Sequence, residues 1–86
     1  MRTLDYTIKN PAGFHYRVAA ILAIKMRKYW TVKISVQFND AVYHLSDAVH
    51  IFQMKAKEGD TIQFGFEGQN VDEAYDHLAE ILPNLL

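Results

Sequence analysis

The stretch Asn10-Pro-Ala-Gly-Phe-His-Tyr-Arg-Val-Ala-Ala20 joins an alternating segment of the chain to a helical one. Its Pro and Gly predict a turn, and apolar residues at helical spacing follow directly. The junction places His15 at the N-terminus of the predicted helix, where backbone N–H groups point outward and favour anions. Arg17 follows two residues later. This setting suits an imidazole that carries a phosphoryl group, because neutral imidazole is a nucleophile near neutral pH.

Four segments alternate between apolar and polar residues, which is the period-two pattern of half-buried strands. They cover residues 4–8, 32–38, 41–45 and 61–67. Asn39 and Asp40 separate the second strand from the third, and such a pair is typical of a tight hairpin turn. Because each strand has one wet face, we expect an antiparallel sheet with the helices on its other face.

Three further segments are predicted helices, at residues 16–28, 46–55 and 71–82. Ser46 or Asp47 offers an N-cap to the second of these. Asn70, with Glu73 three residues later, resembles a capping box for the third, and Pro83 is expected to end it. The order βαββαβα predicts an α+β fold, an open-faced sandwich with a four-stranded antiparallel sheet and three helices on one face.

Length and composition limit the classes of function. The 86 residues are half hydrophobic, which predicts one domain over residues 1–86. The absence of cysteine and of metal-type histidine spacing predicts no disulfide, metal or cofactor. A net charge of −1 argues against nucleic acid as the main partner. Without a signal-like start or an apolar run of ~20 residues, we expect a cytoplasmic protein with no membrane insertion.

Charge is distributed unevenly along the chain. Seven of the nine Lys and Arg residues lie at or before Lys33, and nine of the ten acidic residues lie at or after Asp40. This asymmetry allows a basic patch that meets an acidic protein surface, or simply scattered solubilising charge. The remaining histidines, at positions 44, 50 and 77, are expected at the surface or at its boundary with the core.

Two helix faces are candidates for docking a protein partner. In the first helix, helical spacing aligns Arg17, Ala20, Ile24 and Arg27. In the second helix, one side carries Ala48, Val49 and Phe52, and the other carries Ile51 and Met54. One side of the second helix must pack on the sheet, and the other would extend an apolar patch next to His15. Transient docking sites are of this kind, although a short apolar helix can also be wholly buried.

The segment Gly13-Phe14-His15-Tyr16-Arg17-Val18-Ala19 and the order of elements resemble HPr, the histidine-containing phosphocarrier family of the bacterial phosphoenolpyruvate:sugar phosphotransferase system. The family pattern reads roughly Gly-(Leu/Ile/Phe)-His-(Ala/Thr)-Arg-Pro-Ala. The stretch Glu58-Gly59-Asp60-Thr61-Ile62 and residues 67–82 also look like the family's last strand and helix. The resemblance therefore covers nearly the whole chain.

The resemblance implies a phosphoryl carrier rather than a stand-alone enzyme. His15 would accept a phosphoryl group from enzyme I and pass it to the IIA domains of sugar permeases. Arg17 would hold the phosphoryl oxygens by charge-assisted hydrogen bonds, and backbone N–H groups from Tyr16 onward would complete the anion site. The two helix faces would dock these partners in turn, so a monomer is expected.

Three positions depart from the family pattern. Val18 stands in place of the proline, and Tyr16 in place of a small residue. Asp47 aligns with a serine that a kinase phosphorylates in many Gram-positive relatives, although Ser46 aligns there if the gap is placed later. Asp47 would supply a fixed negative charge at a helix N-terminus. These departures leave open a divergent regulator that binds partners such as a transcription factor, and a small α+β binding domain in which the histidine is incidental.

Overall fold

The computed structural model describes residues 1–86, and its seven elements follow the predicted order. The strands are Arg2–Thr7 (β1), Val32–Phe38 (β2), Ala41–His44 (β3) and Thr61–Gly68 (β4). The helices are Tyr16–Met26 (α1), Ala48–Phe52 (α2) and Val71–Leu85 (α3). The strands form one antiparallel sheet in the order β1-β4-β2-β3, which confirms the predicted architecture. No helix has the length and apolar character that crossing a membrane requires.

β4 lies inside the sheet and aligns its neighbours. It pairs with β1 over six residue pairs and with β2 over another six. Its alternate residues Ile62, Phe64 and Phe66 are buried, as the period-two pattern predicts. They join Leu22 of α1 and Leu78 of α3 in a core of 20 buried residues, all of them apolar. Because this core includes residues of all three helices, it stabilises a chain that has no disulfide.

The hairpin between β2 and β3 has the predicted two-residue turn. Asn39 and Asp40 both have positive φ, at 51° and 65°, and the residues on either side of them pair across the hairpin. Positive φ at both central positions matches the right-handed twist of the strands, and Asn and Asp tolerate it better than other side chains.

The second helix is shorter than the sequence predicts. It ends at Phe52 instead of continuing to residue 55. The backbone tightens there, because the amide of Met54 donates to the carbonyl of Ile51 at 2.9 Å, and Lys55 then adopts a positive φ of 55°. Because the helix ends at Phe52, the following residues Met54 and Ala56 are buried, and Ala56 is hydrogen-bonded to the loop that precedes α1. The first helix likewise ends at Met26, two residues before the predicted end.

Both predictions for the ends of α3 are wrong. Asn70 has a left-handed backbone with φ 61°, and its side chain makes no capping hydrogen bond. Pro83 lies inside the helix, which continues to Leu85. Proline costs a helix one hydrogen bond, but the extra turn buries Leu86 in the core. The main-chain oxygen of Leu86 also accepts the amide of Asn10 at 2.7 Å, so tertiary contacts outweigh the local signal.

We expect Gly13→Ala to destabilise the protein more than Gly59→Ala. Both glycines have positive φ, at 71° and 91°, so each substitution brings a left-handed penalty of about 1–2 kcal/mol. A Cβ at position 13 would also lie 2.6 Å from the carbonyl oxygen of Ala56, whereas nothing lies within 4 Å of a Cβ at position 59. Overpacking should add about 1–3 kcal/mol to the loss of unfolding free energy, measured by urea titration. Equal losses for the two variants would contradict a rigid contact at Gly13.

Candidate functional site

The loop before α1 is held by its own hydrogen bonds. The side-chain oxygen of Asn10 accepts the amide of Ala12 at 2.9 Å, and the carbonyl of Asn10 accepts the amide of Gly13 at 2.8 Å. The amide of Phe14 then donates to the carbonyl of Ala56 at 2.9 Å, and the Phe14 ring is buried in the core. The residue before His15 is therefore fixed to the rest of the fold.

Asn10 also fastens this loop to the end of α3. Its side-chain amide donates to the carbonyl of Leu85 at 3.1 Å, and its backbone amide donates to the main-chain oxygen of Leu86 at 2.7 Å. The sequence predicts only a turn at Asn10, and this positioning role is seen only in the structure. Asn before Pro is typical of a turn, but no local pattern shows that residue 85 would accept its second hydrogen bond.

His15 is the N-cap residue of α1. Its backbone is extended, with φ −89° and ψ 170°, and its carbonyl accepts the amide of Ala19 at 3.1 Å. Its side chain makes no capping hydrogen bond, and the residue is half-buried. The first turn of α1 carries no acidic residue. His15 therefore directly precedes backbone amides that have no intrahelical acceptor, at a helix end where an anion would be stabilised.

Tyr16, Arg17 and Val18 form the first turn of α1. Tyr16 and Arg17 are exposed, and Val18 is buried in the core. Because valine has the backbone N–H that proline lacks, this turn offers three amide donors. The Tyr16 side chain is directed toward α2, where its ring meets that of Phe52 edge-to-face at 5.9 Å between centroids. This contact connects the two helix faces that the sequence analysis singles out.

Apart from Ile51 and Met54, the residues of those faces form a surface beside His15, which we call the helix surface and define as Tyr16, Arg17, Ala20, Ile24, Arg27, Ala48, Val49 and Phe52. Ala20 and Ala48 are half-buried, and the other six are exposed. Ile51 and Met54 point the other way and are buried, so the second helix packs on its Ile51 side. Tyr16 and Phe52 remain 51% and 47% exposed. Exposed aromatic and apolar side chains with arginines at the rim are the composition of a transient docking surface.

Asp47, and not Ser46, caps α2. Its carboxylate accepts the backbone amide of His50 at 3.0 Å, while Ser46 lies exposed in the preceding turn. The other three histidines lie on β3, α2 and α3. His50 packs its ring against Tyr43 at 4.7 Å, and His77 shares a 2.9 Å hydrogen bond with the hydroxyl of Tyr29.

The order of elements, the sheet and the position of His15 can be compared with known proteins. A family model described as the PTS HPr component phosphorylation site matches residues 3–84. The chain belongs to the HPr family. This membership assigns it to the phosphocarrier proteins of the phosphotransferase system.

Individual HPr proteins match along nearly their full length. The phosphocarrier protein HPr of Lysinibacillus sphaericus is 26% identical over 85 residues, which cover 99% of this chain and 96% of that protein. The histidine-containing phosphocarrier protein of Mycoplasma superposes with a TM-score of 0.89 at 23% identity, over 99% of this chain and 98% of that one. HPr-C-His from Thermoanaerobacter tengcongensis gives 0.87 at 23% identity, over 98% and 93%. The HPr fold is thus retained at low sequence identity.

We expect Asp47→Ala to lower the free energy of unfolding by about 1 kcal/mol, because it leaves the His50 amide without its cap. Ser46→Ala is the matched control, since Ser46 is exposed and makes no side-chain hydrogen bond to α2. Urea titration of both variants measures the difference. A Ser46→Ala loss as large as that of Asp47→Ala would contradict this assignment of the cap.

Proposed function

We propose that this HPr-family protein carries a phosphoryl group on His15, accepting it from enzyme I and delivering it to IIA domains. The observation that carries the proposal is the placement of His15 as an N-cap whose side chain makes no capping bond. A helix N-terminus stabilises the negative phosphoryl oxygens through its open amides, and no acidic residue in the first turn opposes them.

The transfer requires positioning and charge neutralisation more than covalent chemistry from the carrier. A ring nitrogen of neutral His15 supplies the electron pair for the new N–P bond. The bond between phosphorus and the donor's leaving atom breaks, and its electron pair stays with the donor. In delivery to a IIA domain, an acceptor atom of that domain supplies the electron pair for a new bond to phosphorus. The N–P bond then breaks, and its electron pair returns to the ring nitrogen of His15. Arg17 and the amides of Tyr16, Arg17 and Val18 are the groups that hold the phosphoryl oxygens.

The helix surface is the proposed docking site for both partners. Its apolar residues lie beside His15 on two helices that are linked by the contact between Tyr16 and Phe52. Arg17 and Arg27 are exposed at its rim, where they would attract acidic partners. A carrier that presents one face to successive partners would act as a monomer. A regulatory role for Asp47, through its fixed charge at the start of α2, or for the exposed hydroxyl of Ser46 remains a prediction.

A divergent regulator that binds protein partners, such as a transcription factor, with little phosphotransfer is the second candidate. Tyr16 favours it, because a large exposed ring next to His15 adds binding surface where the family pattern has a small residue. Both candidate functions use the helix surface. They differ in whether His15 accepts and releases a phosphoryl group.

We expect purified protein incubated with phosphoenolpyruvate and enzyme I to gain one acid-labile phosphate, detected by intact mass. His15→Ala should abolish this gain. The matched control is His50→Ala, which removes an exposed histidine of α2 and should leave phosphorylation intact. If the wild-type protein gains no phosphate while the same enzyme I phosphorylates another HPr, the result would favour the divergent regulator.

We expect Arg17→Ala to slow phosphoryl transfer by roughly 10- to 100-fold, because a hydrogen bond to a charged group contributes about 1.5–3 kcal/mol. Rapid-quench measurement of the transfer rate at saturating donor isolates this effect from docking. Lys25→Ala removes another exposed cation of α1 and should change the rate little. Equal losses in both variants would indicate a general charge effect instead of a direct contact.

We expect Phe52→Ser to raise the KM for transfer from enzyme I by about 5- to 30-fold, with a smaller change in kcat, as a residue inside a docking surface should. Val42→Ser is the matched control. Val42 is an exposed apolar residue whose neighbour Tyr43 contacts α2, so alternation places Val42 on the opposite face of the sheet. A similar rise in KM for both variants would contradict docking at the helix surface.

A further inference from the structure

One edge of the sheet is left open beside the start of β2. β2 pairs with β4 from Val32 onward, but its pairing with β3 begins only at Ser35. The chain turns away after β3, where the amide of Asp47 donates to the carbonyl of His44 at 3.0 Å. No strand therefore lies beside Lys33 on that side of the sheet.

The amide and carbonyl groups of Val32 and Ile34 point to this open edge, and two of these four groups are already hydrogen-bonded. The carbonyl of Ile34 points there, since it accepts the amide of Leu45 at 2.9 Å. Because alternate residues of a strand direct their backbone groups to the same side, the amide of Ile34 and the carbonyl of Val32 point there as well. The amide of Val32 is already bonded to the carbonyl of Tyr29 at 2.9 Å. One acceptor and one donor thus flank Lys33.

That pair of groups has a preferred partner geometry. In a parallel ladder, the added residue opposite Lys33 would donate its amide to the carbonyl of Val32. Its carbonyl would accept the amide of Ile34. An antiparallel partner would instead need both the amide and the carbonyl of one residue of β2. The amide of Val32 and the carbonyl of Ile34 are already hydrogen-bonded, so neither residue offers both groups. The open edge therefore fits a single extended residue running parallel to β2.

A cleft of about 550 Å³ lies along the same edge, between the end of α1 and the start of β2. This volume is within the range of ligand-binding clefts. Its apolar wall is formed by Met26, Tyr29, Val32, Ile34 and Leu45. Trp30 stands at its rim and is 86% exposed, the most exposed large apolar side chain in the chain. Tryptophan at the rim of an apolar cleft is characteristic of residues that dominate binding energy in protein interfaces.

The charges around the cleft favour an acidic occupant. Arg27 and Lys33 line it opposite a single acid, Glu67, and all three side chains are exposed. Neither cation forms an ion pair within the chain, since the one salt bridge joins Arg2 to Asp72. Glu67 is the cross-strand partner of Lys33, so Arg27 is the cation of the lining that has no acid paired with it. A cation beside an apolar wall attracts a segment in which an acidic residue lies close to a large apolar one.

We propose that this cleft binds an extended peptide segment of a partner protein, which adds parallel to β2 at Lys33, inserts an apolar side chain beside Trp30 and places an acidic side chain near Lys33 and Arg27. Strand addition to an open edge is an established mode of peptide recognition. The cleft lies at the opposite end of α1 from His15, about 15 Å along a helix of 11 residues. The segment would therefore leave His15 uncovered, and the cleft shares only Arg27 with the helix surface.

The test is selection from a random dodecapeptide display library on the wild-type protein, with counter-selection on Trp30→Ala. Enriched peptides should carry an acidic residue near a large apolar one. Their affinity should fall by about 10-fold or more in Trp30→Ala and in Lys33→Glu, and should be unchanged in Phe52→Ser. Calorimetry measures the affinity in every variant, because Trp30→Ala removes the only tryptophan and with it the intrinsic fluorescence signal. Both altered residues are exposed, and unchanged phosphorylation of His15 would show that the variants fold.

Amide hydrogen exchange distinguishes a peptide that adds as a strand to β2 from one that contacts only the side chain of Trp30. The amide of Ile34 should gain protection when a selected peptide binds, because it acquires an acceptor. Four results would overturn the proposal: no enrichment above the counter-selection, binding that depends on Phe52 instead of Trp30, no protection at Ile34, or a dimer in sedimentation that Trp30→Ala abolishes. Saturable binding of anilinonaphthalene sulfonate without any enriched peptide would assign the cleft to a small molecule and overturn it equally.

Discussion

The position of His15 depends on the hydrogen bonds that hold the loop before it. Asn10 bonds to Ala12 within the loop and to Leu85 and Leu86 at the end of α3, while Phe14 bonds to Ala56. Groups that must meet a transferring phosphoryl group need a fixed geometry, because misplacement by an ångström costs much of the rate. The loop obtains that rigidity from two distant parts of the chain, so the position of His15 depends on the stability of the whole fold.

The same chain keeps apolar surface exposed next to this rigid site. The buried core contains no polar side chain, and helices α1 and α2 still leave Ile24, Val49 and Phe52 in solvent. Burying these side chains would stabilise the protein, whereas exposing them gives partners an apolar surface to cover. The contact between Tyr16 and Phe52 limits the cost, since each ring shields part of the other. Buried and exposed apolar residues thus lie on opposite sides of the same two helices.

Local patterns in the sequence predicted the fold well wherever the pattern is periodic. Strand alternation predicted all four strands, helical spacing predicted α1 and α3, and Asn39-Asp40 predicted the hairpin. Predictions failed at element ends. Pro83 was expected to stop α3, and Asn70 to cap it. Both signals are worth about 1–3 kcal/mol, and packing of a buried leucine such as Leu86 is worth as much, so tertiary contacts reversed the local preference.

The sequence by itself determined the order of elements, the core-facing side of the strands, of α1 and of α3, and the place of His15 at a helix N-terminus. These properties depend on residue type and spacing within a few turns of the chain. The side of α2 that enters the core was decided by the tertiary structure. The tertiary structure alone decided which distant groups hold Asn10, that Tyr16 turns toward Phe52, and that β3 leaves the edge of β2 open beside Trp30. Each depends on residues that are far apart in sequence, and their meeting is set by packing of the whole chain, which no local periodicity encodes.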